Sequence, residues 1–264
     1  MTLSQISSIF IATFFLFVYK DVSAQLNLSG KPGLLYTPTA RETQDGELHI
    51  AYSLNPAKYN IKNYGGFSEN VFAFNLTILS RLDVNLNLLK PNGNIPYKHR
   101  GIGDRQIEFK YQILKQRKNQ PGLALFVAAP FSTDVGVITN ALVATKDFKV
   151  GHQLELETTV GYASPWYFFR DVNALETNGI FDAITLGDKR DQPFPHLSGP
   201  IAGAKLTWKK KFGVMAEWDS QRVNAGAYAT LFKCWTLQAG LLNLNTLTFG
   251  TSFRTQLKKT KRKD

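Results

Sequence analysis

Cysteine is nearly absent: Cys234 is the only one in 264 residues, so no intrachain disulfide framework exists. No cysteine stands where an exported lipoprotein would carry its lipid. Charged residues make up 19% of the chain, below the roughly 25% of ordinary globular domains. Beyond residue 24 no apolar run approaches the roughly 20 residues that a membrane-crossing helix needs, and no 3.6-residue periodicity of useful length occurs. Metal-ligand spacing is missing too. His49, His99, His152 and His196 are scattered, none lying three or four residues from another His or Cys, so neither zinc nor any other cofactor is expected. The formal charge of +11 comes without a nucleic-acid motif. Lys258, Lys259, Lys261, Arg262 and Lys263 crowd the end, and further cations fall in turn-like clusters at 115–118 and 209–211. That distribution speaks against nucleic acid and for solvated turns touching anionic lipid.

What is present begins with an apolar run at residues 6–19, followed by Lys20-Asp21 and the small-residue spacing Val22-Ser23-Ala24. Residues 1–24 read as a signal peptide cleaved after Ala24, although the stretch before the run lacks Lys and Arg. Residues 25–46 read as a turn-rich periplasmic lead-in, 47–257 as the folded domain, and 258–264 as a basic tail.

From residue 47 the signal is alternation. Leu48, Ile50, Tyr52 and Leu54 alternate with Glu47, His49, Ala51 and Ser53, and Ile107, Phe109 and Tyr111 with Glu108, Lys110 and Gln112. The pattern recurs about a dozen times, which predicts strands pairing with their sequence neighbours. So wide an antiparallel sheet either splits into a sandwich or closes on itself. Connections alternate long and short: 55–69 then 80–81, 91–103 then 115–120, 163–198 then 209–211. Outer-membrane barrels share that asymmetry. The expected fold is all-β: an antiparallel up-and-down transmembrane β-barrel of about 12 strands. Aromatics gather near strand ends, with Tyr52, Phe72, Tyr162 and Trp218 toward one side and Trp208, Phe212 and Trp235 toward the other, as in two interfacial girdles.

The charged row then lines a polar lumen, with Glu108, Lys110, Glu155, Glu157, Lys205, Glu217 and Asp219 as its candidate lining residues. Glu155 and Glu157 stand about 7 Å apart on one strand face. That spacing suits carboxylate catalysis of glycoside cleavage, but a solvated lumen lining explains it more simply. The 163–198 connection carries Trp166, Tyr167, Phe168 and Arg170, side chains suited to stacking on sugar rings. A loop folded into the barrel as a plug would use the same residues.

The stretch GKPGLLYTPTARETQDG at 30–46, with Gly33, Leu34, Thr37, Pro38, Ala40, Arg41, Asp45 and Gly46, resembles the opening motif of the YjbH-like family of exopolysaccharide-linked outer-membrane proteins. GIGDRQIEFKYQIL, PGLALFVAAPFSTD, NALVATKDF and SGPIAGAKLTWKKKFGVMAEWDS are similar to that family's later hairpins. The resemblance covers a single barrel-forming unit, whereas family members are longer. It implies an outer-membrane protein assisting exopolysaccharide secretion or assembly, as conduit or scaffold. Outer-membrane lipids, the polymer and secretion-complex proteins are its implied partners. A general small-solute porin is the first alternative. A lipid or glycan hydrolase using His152 or Glu155 is the second, and a soluble periplasmic β-protein the last.

Overall fold

Alternating rows become a closed wall. The computed structural model describes residues 25–59, 66–93, 104–129, 138–170, 184–191, 195 and 197–257. The expected signal peptide, the basic tail, His99, His196 and the middle of the 163–198 connection lie outside these residues. Among the described residues no helix is long and apolar enough to cross a membrane, which says nothing about strands.

Twelve strands form the barrel: β1 (Glu47–Asn55), β2 (Glu69–Leu79), β3 (Leu82–Pro91), β4 (Asp104–Leu114), β5 (Gly122–Ala128), β6 (Ala141–Lys149), β7 (Leu154–Ala163), β10 (Gly199–Trp208), β11 (Phe212–Trp218), β12 (Val223–Leu231), β13 (Trp235–Leu242) and β14 (Thr246–Gln256). Each pairs antiparallel with its neighbour, and β1 closes on β14 with Ile50 opposite Phe253. Closure removes the free edges that an open sheet would expose. The wall slips register twice, between Thr77 and Leu79 and between Gln112 and Leu114. Both slips stand next to short turns, where an extra residue bends a strand without breaking the face pattern.

The 163–198 connection differs from the unstructured loop expected of it. Its described parts form a separate hairpin of β8 (Trp166–Arg170) and β9 (Ile184–Asp188), in register from Trp166 opposite Asp188 to Arg170 opposite Ile184. Two five-residue strands far apart in sequence leave little local signal, because only their pairing makes either one a strand.

Polarity across the wall runs opposite to that of a soluble β-protein. Phe72, Phe109, Val160, Tyr162, Val214, Trp218 and Phe249 face outward and are exposed. Their alternate neighbours Glu47, Asn75, Asn85, Gln106, Glu108, Glu157, Lys205, Glu217 and Arg254 face inward and are buried. A polar interior behind an apolar exterior suits surroundings of hydrocarbon rather than water.

Residues 25–40 do not lie outside the wall as a lead-in. They are buried throughout, inside the cylinder, where they meet inward side chains from opposite sides of it. A twelve-strand barrel is too wide for its own side chains to fill. The N-terminal segment fills much of the remainder.

Candidate functional site

The segment 25–40 folds on itself before it meets the wall. Asn27 is its hub: Oδ1 accepts from the backbone N–H of Ser29 and Lys31 at 3.1 and 2.9 Å, while Nδ2 donates to the Tyr36 carbonyl at 2.9 Å. Bridges join Leu26 to Pro32 and Gly33 to Pro38. The prolines and glycines that read as a bend in sequence thus tie a small knot. Gly30 sits at a φ of 76°, and a Cβ there would fall 2.1 Å from that of Ala73, so the position requires glycine for both conformation and space.

Polar and apolar contacts seat this plug together. The Glu217 carboxylate accepts from the backbone N–H of Leu35, Tyr36 and Thr37 at 3.0, 2.8 and 3.0 Å, and from Asn224 Nδ2 at 3.0 Å. A buried carboxylate needs such donors in place of water. Lys31 pairs with Glu108 and donates to Thr139 Oγ1 at 2.8 Å. Burial pushes the Lys31 ammonium down, and Glu108 opposes that shift. Burial, aided by Asp219, Glu69 and Glu217, pushes the Tyr36 hydroxyl up. That group therefore keeps its proton and donates to Asn55 Oδ1 at 3.1 Å.

Around these bonds Leu28, Leu34, Leu35 and Tyr36 cluster with Tyr59, Met215, Tyr228 and Leu242. Each buried leucine stabilises the seat by about 1.5–3 kcal/mol relative to exposure. Three wall glycines make the fit possible. A Cβ on Gly203 would lie 2.2 Å from Leu34 Cδ1, and one on Gly240 would lie 2.7 Å from Leu35 Cδ2. Gly226 stands directly opposite Gly240 across β12 and β13, completing the dent that receives Leu35.

Toward the short turns the plug no longer fills the lumen. A polar cavity of about 110 Å³ remains there, lined by Arg41, Asp147, Glu155, Glu157, Lys205, Thr207, Lys210 and Tyr228. Lys205 pairs with Glu157 at 2.8 Å, and Thr207 Oγ1 shares a hydrogen bond with the Tyr228 hydroxyl at 2.7 Å. Beside it Lys110 pairs with Asp83 at 3.0 Å and donates to the Arg41 carbonyl. Arg41 is thus where the plug's exit meets the charged wall.

The structure gives the sequence candidates distinct places. Gly33, Leu34, Thr37, Pro38 and Ala40 are buried within the plug, and Asp45-Gly46 leads into β1, with the Gly46 N–H donating to the Thr77 carbonyl at 2.8 Å. Glu108, Lys110, Glu157, Lys205 and Glu217 face inward, and Glu155 is half-buried against the cavity. Asp219 is buried as well: one carboxylate oxygen accepts from Asn224 Nδ2 at 2.9 Å, and the other accepts from the N–H of Gln221 and Arg222 at 3.0 and 2.8 Å in the β11–β12 turn. In the hairpin, Trp166 and Phe168 are exposed while Tyr167 is buried against Gly187. Strand alternation thus puts Trp166 and Phe168 on one exposed face and Tyr167 on the other. His49 bonds to Glu47 at 2.7 Å inside the wall, and His152 is exposed on the β6–β7 turn. Among the described residues no group of three or more His, Cys, Asp or Glu is placed to hold a metal.

Lys31, Asn27 and the wall glycines escaped sequence reasoning. Glycine on the inward row of β10, β12 and β13 was the available signal, because small residues there leave space for something else. Lys189 also escaped it. From the turn after β9 it reaches inward, donating to the carbonyls of Ile138 and Leu197 at 2.6 and 3.4 Å. Burial, with Lys31 nearby, lowers its pKa to about 7 against the opposing pull of Glu108.

No protein-family model and no curated protein matches the chain. Among solved structures it is similar to the KdgM porin (7% identity, TM-score 0.40), covering 80% of this chain and 99% of that one. The outer membrane protein Omp33 of Acinetobacter baumannii (7%, TM-score 0.36) covers 81% of this chain and 100% of its own. The NanC porin (10%, TM-score 0.37) covers 80% and 100%. Likenesses of this size concern barrel shape alone, and no site is carried over from them.

Proposed function

We propose that this chain is an outer-membrane β-barrel of the small-solute porin class whose lumen is closed by its own N-terminal segment. The observation that carries the reading is a polar wall with an apolar exterior, filled by residues 25–40 at one end and open as a charged cavity at the other. Short turns of such barrels face the periplasm, so the cavity would be its periplasmic vestibule. Solute passage then requires the plug to leave its seat at Glu217 and the wall glycines.

Planar-bilayer recording tests this directly. The intact protein should conduct weakly, and a Glu217→Ala variant, which removes the acceptor for three plug N–H groups, should open more often or more widely. Identical traces from a variant that still shifts on a gel upon boiling would refute a plugged conduit.

A second reading rests on the sequence resemblance. The motif shared with the YjbH-like family falls on the plug itself, including Gly33, Leu34, Thr37, Pro38 and Ala40. On that reading the barrel assists exopolysaccharide secretion, and the plug is what secretion partners would engage. Deleting the gene separates the two: intact polysaccharide export with impaired solute uptake supports the porin, and the reverse supports the secretion role.

A further inference from the structure

Three neighbouring short turns repeat one composition. The barrel order β13-β12-β11-β10-β7-β6 places the β12–β13, β10–β11 and β6–β7 turns side by side on one arc of the rim. Each sets lysine beside exposed apolar side chains: Phe232 and Trp235 flank Lys233, Trp208 and Phe212 flank Lys209, Lys210 and Lys211, and Phe148 and Val150 flank Lys149. Lys209 Nζ lies 4.6 Å from the Trp208 ring centre, and the Trp208 and Phe212 rings are 6.1 Å apart. Acids at this end turn elsewhere. Asp147, Glu155 and Glu157 line the lumen cavity together with Lys210, and Glu42 pairs with Lys115 at 3.3 Å.

The backbone of two of these three turns supplies a second observation. Lys209, Lys210, Phe232 and Lys233 have φ values of 52, 55, 50 and 63°. Each connection has three residues, 209–211 and 232–234, the first two in the left-handed region; tight turns of this hand favour Asn-Gly, and a bulky residue there costs about 1 kcal/mol or more. Lysine and phenylalanine occupy these positions against local preference. The opposite-end turn between β13 and β14, with φ of 50 and 53° at Asn243 and Leu244, carries no cation.

We propose that this arc is a binding surface for anionic phospholipid headgroups of the leaflet that the short turns face. The aromatics lie at the level of the acyl boundary, and Lys149, Lys209, Lys211 and Lys233 reach past them to headgroup phosphate. The inference rests on the membrane-embedded reading above. It adds lipid selectivity to one sector of the rim, continuous with the apolar exterior and opposite in charge to its ligand.

The full chain, with Trp166 and Trp218 changed to Phe so that Trp208 and Trp235 report, is folded into phosphatidylcholine vesicles. These contain an equal fraction of either brominated phosphatidylglycerol or brominated phosphatidylcholine. The brominated phosphatidylglycerol should quench more strongly, with a relative association constant about fivefold or more above that of phosphatidylcholine, the equivalent of one lysine near the surface. The preference should disappear in K209Q/K211Q/K233Q and in 1 M salt, with about the same quenching by brominated phosphatidylcholine. Equal quenching by the two lipids in protein that shifts on boiling would overturn the lipid surface and leave the barrel reading standing. Protein that stays outside the vesicles with no shift would overturn both.

Discussion

Two levels of the same lumen are built from the same strands and behave oppositely. On β10, Gly203 admits Leu34 of the plug, and two residues on, Lys205 faces the cavity; on β12, Gly226 admits Leu35, and two residues on, Tyr228 lines the cavity. A missing side chain lets backbone and leucine approach the wall. Long charged side chains hold the segment away, pair across the gap and leave water-sized space. Closure of this barrel is therefore graded along its axis, and a shift of two residues, about 7 Å, separates seat from cavity.

The largest way to break the contrast is Glu217→Ala. It leaves three plug N–H groups without their acceptor and Asn224 with Asp219 alone, a loss of about 3 kcal/mol in plug seating. Hydrogen exchange across 26–40 should accelerate by about two orders of magnitude while the β1–β14 seam stays protected.

Gly240→Val comes next, at about 1–3 kcal/mol, because its Cβ would enter contact range of Leu35 at 2.7 Å. Leu35→Ala in the same chain should recover part of that loss in a urea midpoint. Gly151→Ala, with nothing within 4 Å of the added carbon, should show little change.

At the cavity level the expected cost is smaller and depends on pairing. Lys205→Met together with Glu157→Gln should shift stability by no more than about 1 kcal/mol, whereas Lys205→Met alone, which strands Glu157, should cost more. Urea unfolding of the three variants against the parent gives the comparison, and a double variant as unstable as the single one would contradict it.

A pH dependence tests the upper boundary of the plug. Lys189 titrates near pH 7 when buried, against about 10.4 in an unfolded chain. Below pH 7 it is charged in both states and burying that charge opposes seating. Between those values only the unfolded state holds the proton, so stability rises with pH across this window. Exchange of amides at 184–191, corrected for its intrinsic pH dependence, should slow from pH 7 to 9.5. Lys189→Met should abolish that dependence.

Much of the wall could be read in advance. Inward Glu108, Lys110, Glu157, Lys205 and Glu217 follow from the two-residue period, since a strand has only two faces and one carried nearly all the charge. The hairpin of β8 and β9 was not legible, because five-residue strands gain their identity from partners distant in sequence. Nor was the turn role of Asp219, whose second oxygen accepts from two backbone N–H groups just past the end of β11.

The chain's sequence by itself determined that it is a barrel of about twelve strands, which faces of those strands are polar, and where the short and long connections fall. These are local properties, set by alternation and turn composition within a few residues. Only the tertiary structure decided that residues 25–40 occupy the lumen rather than the space beneath it. That outcome depends on Lys31 and Leu35 meeting Glu108, Glu217 and Gly240 across separations of up to about 200 residues. No periodicity encodes such a meeting, because it arises from the width of the closed cylinder and the space its inward glycines leave open.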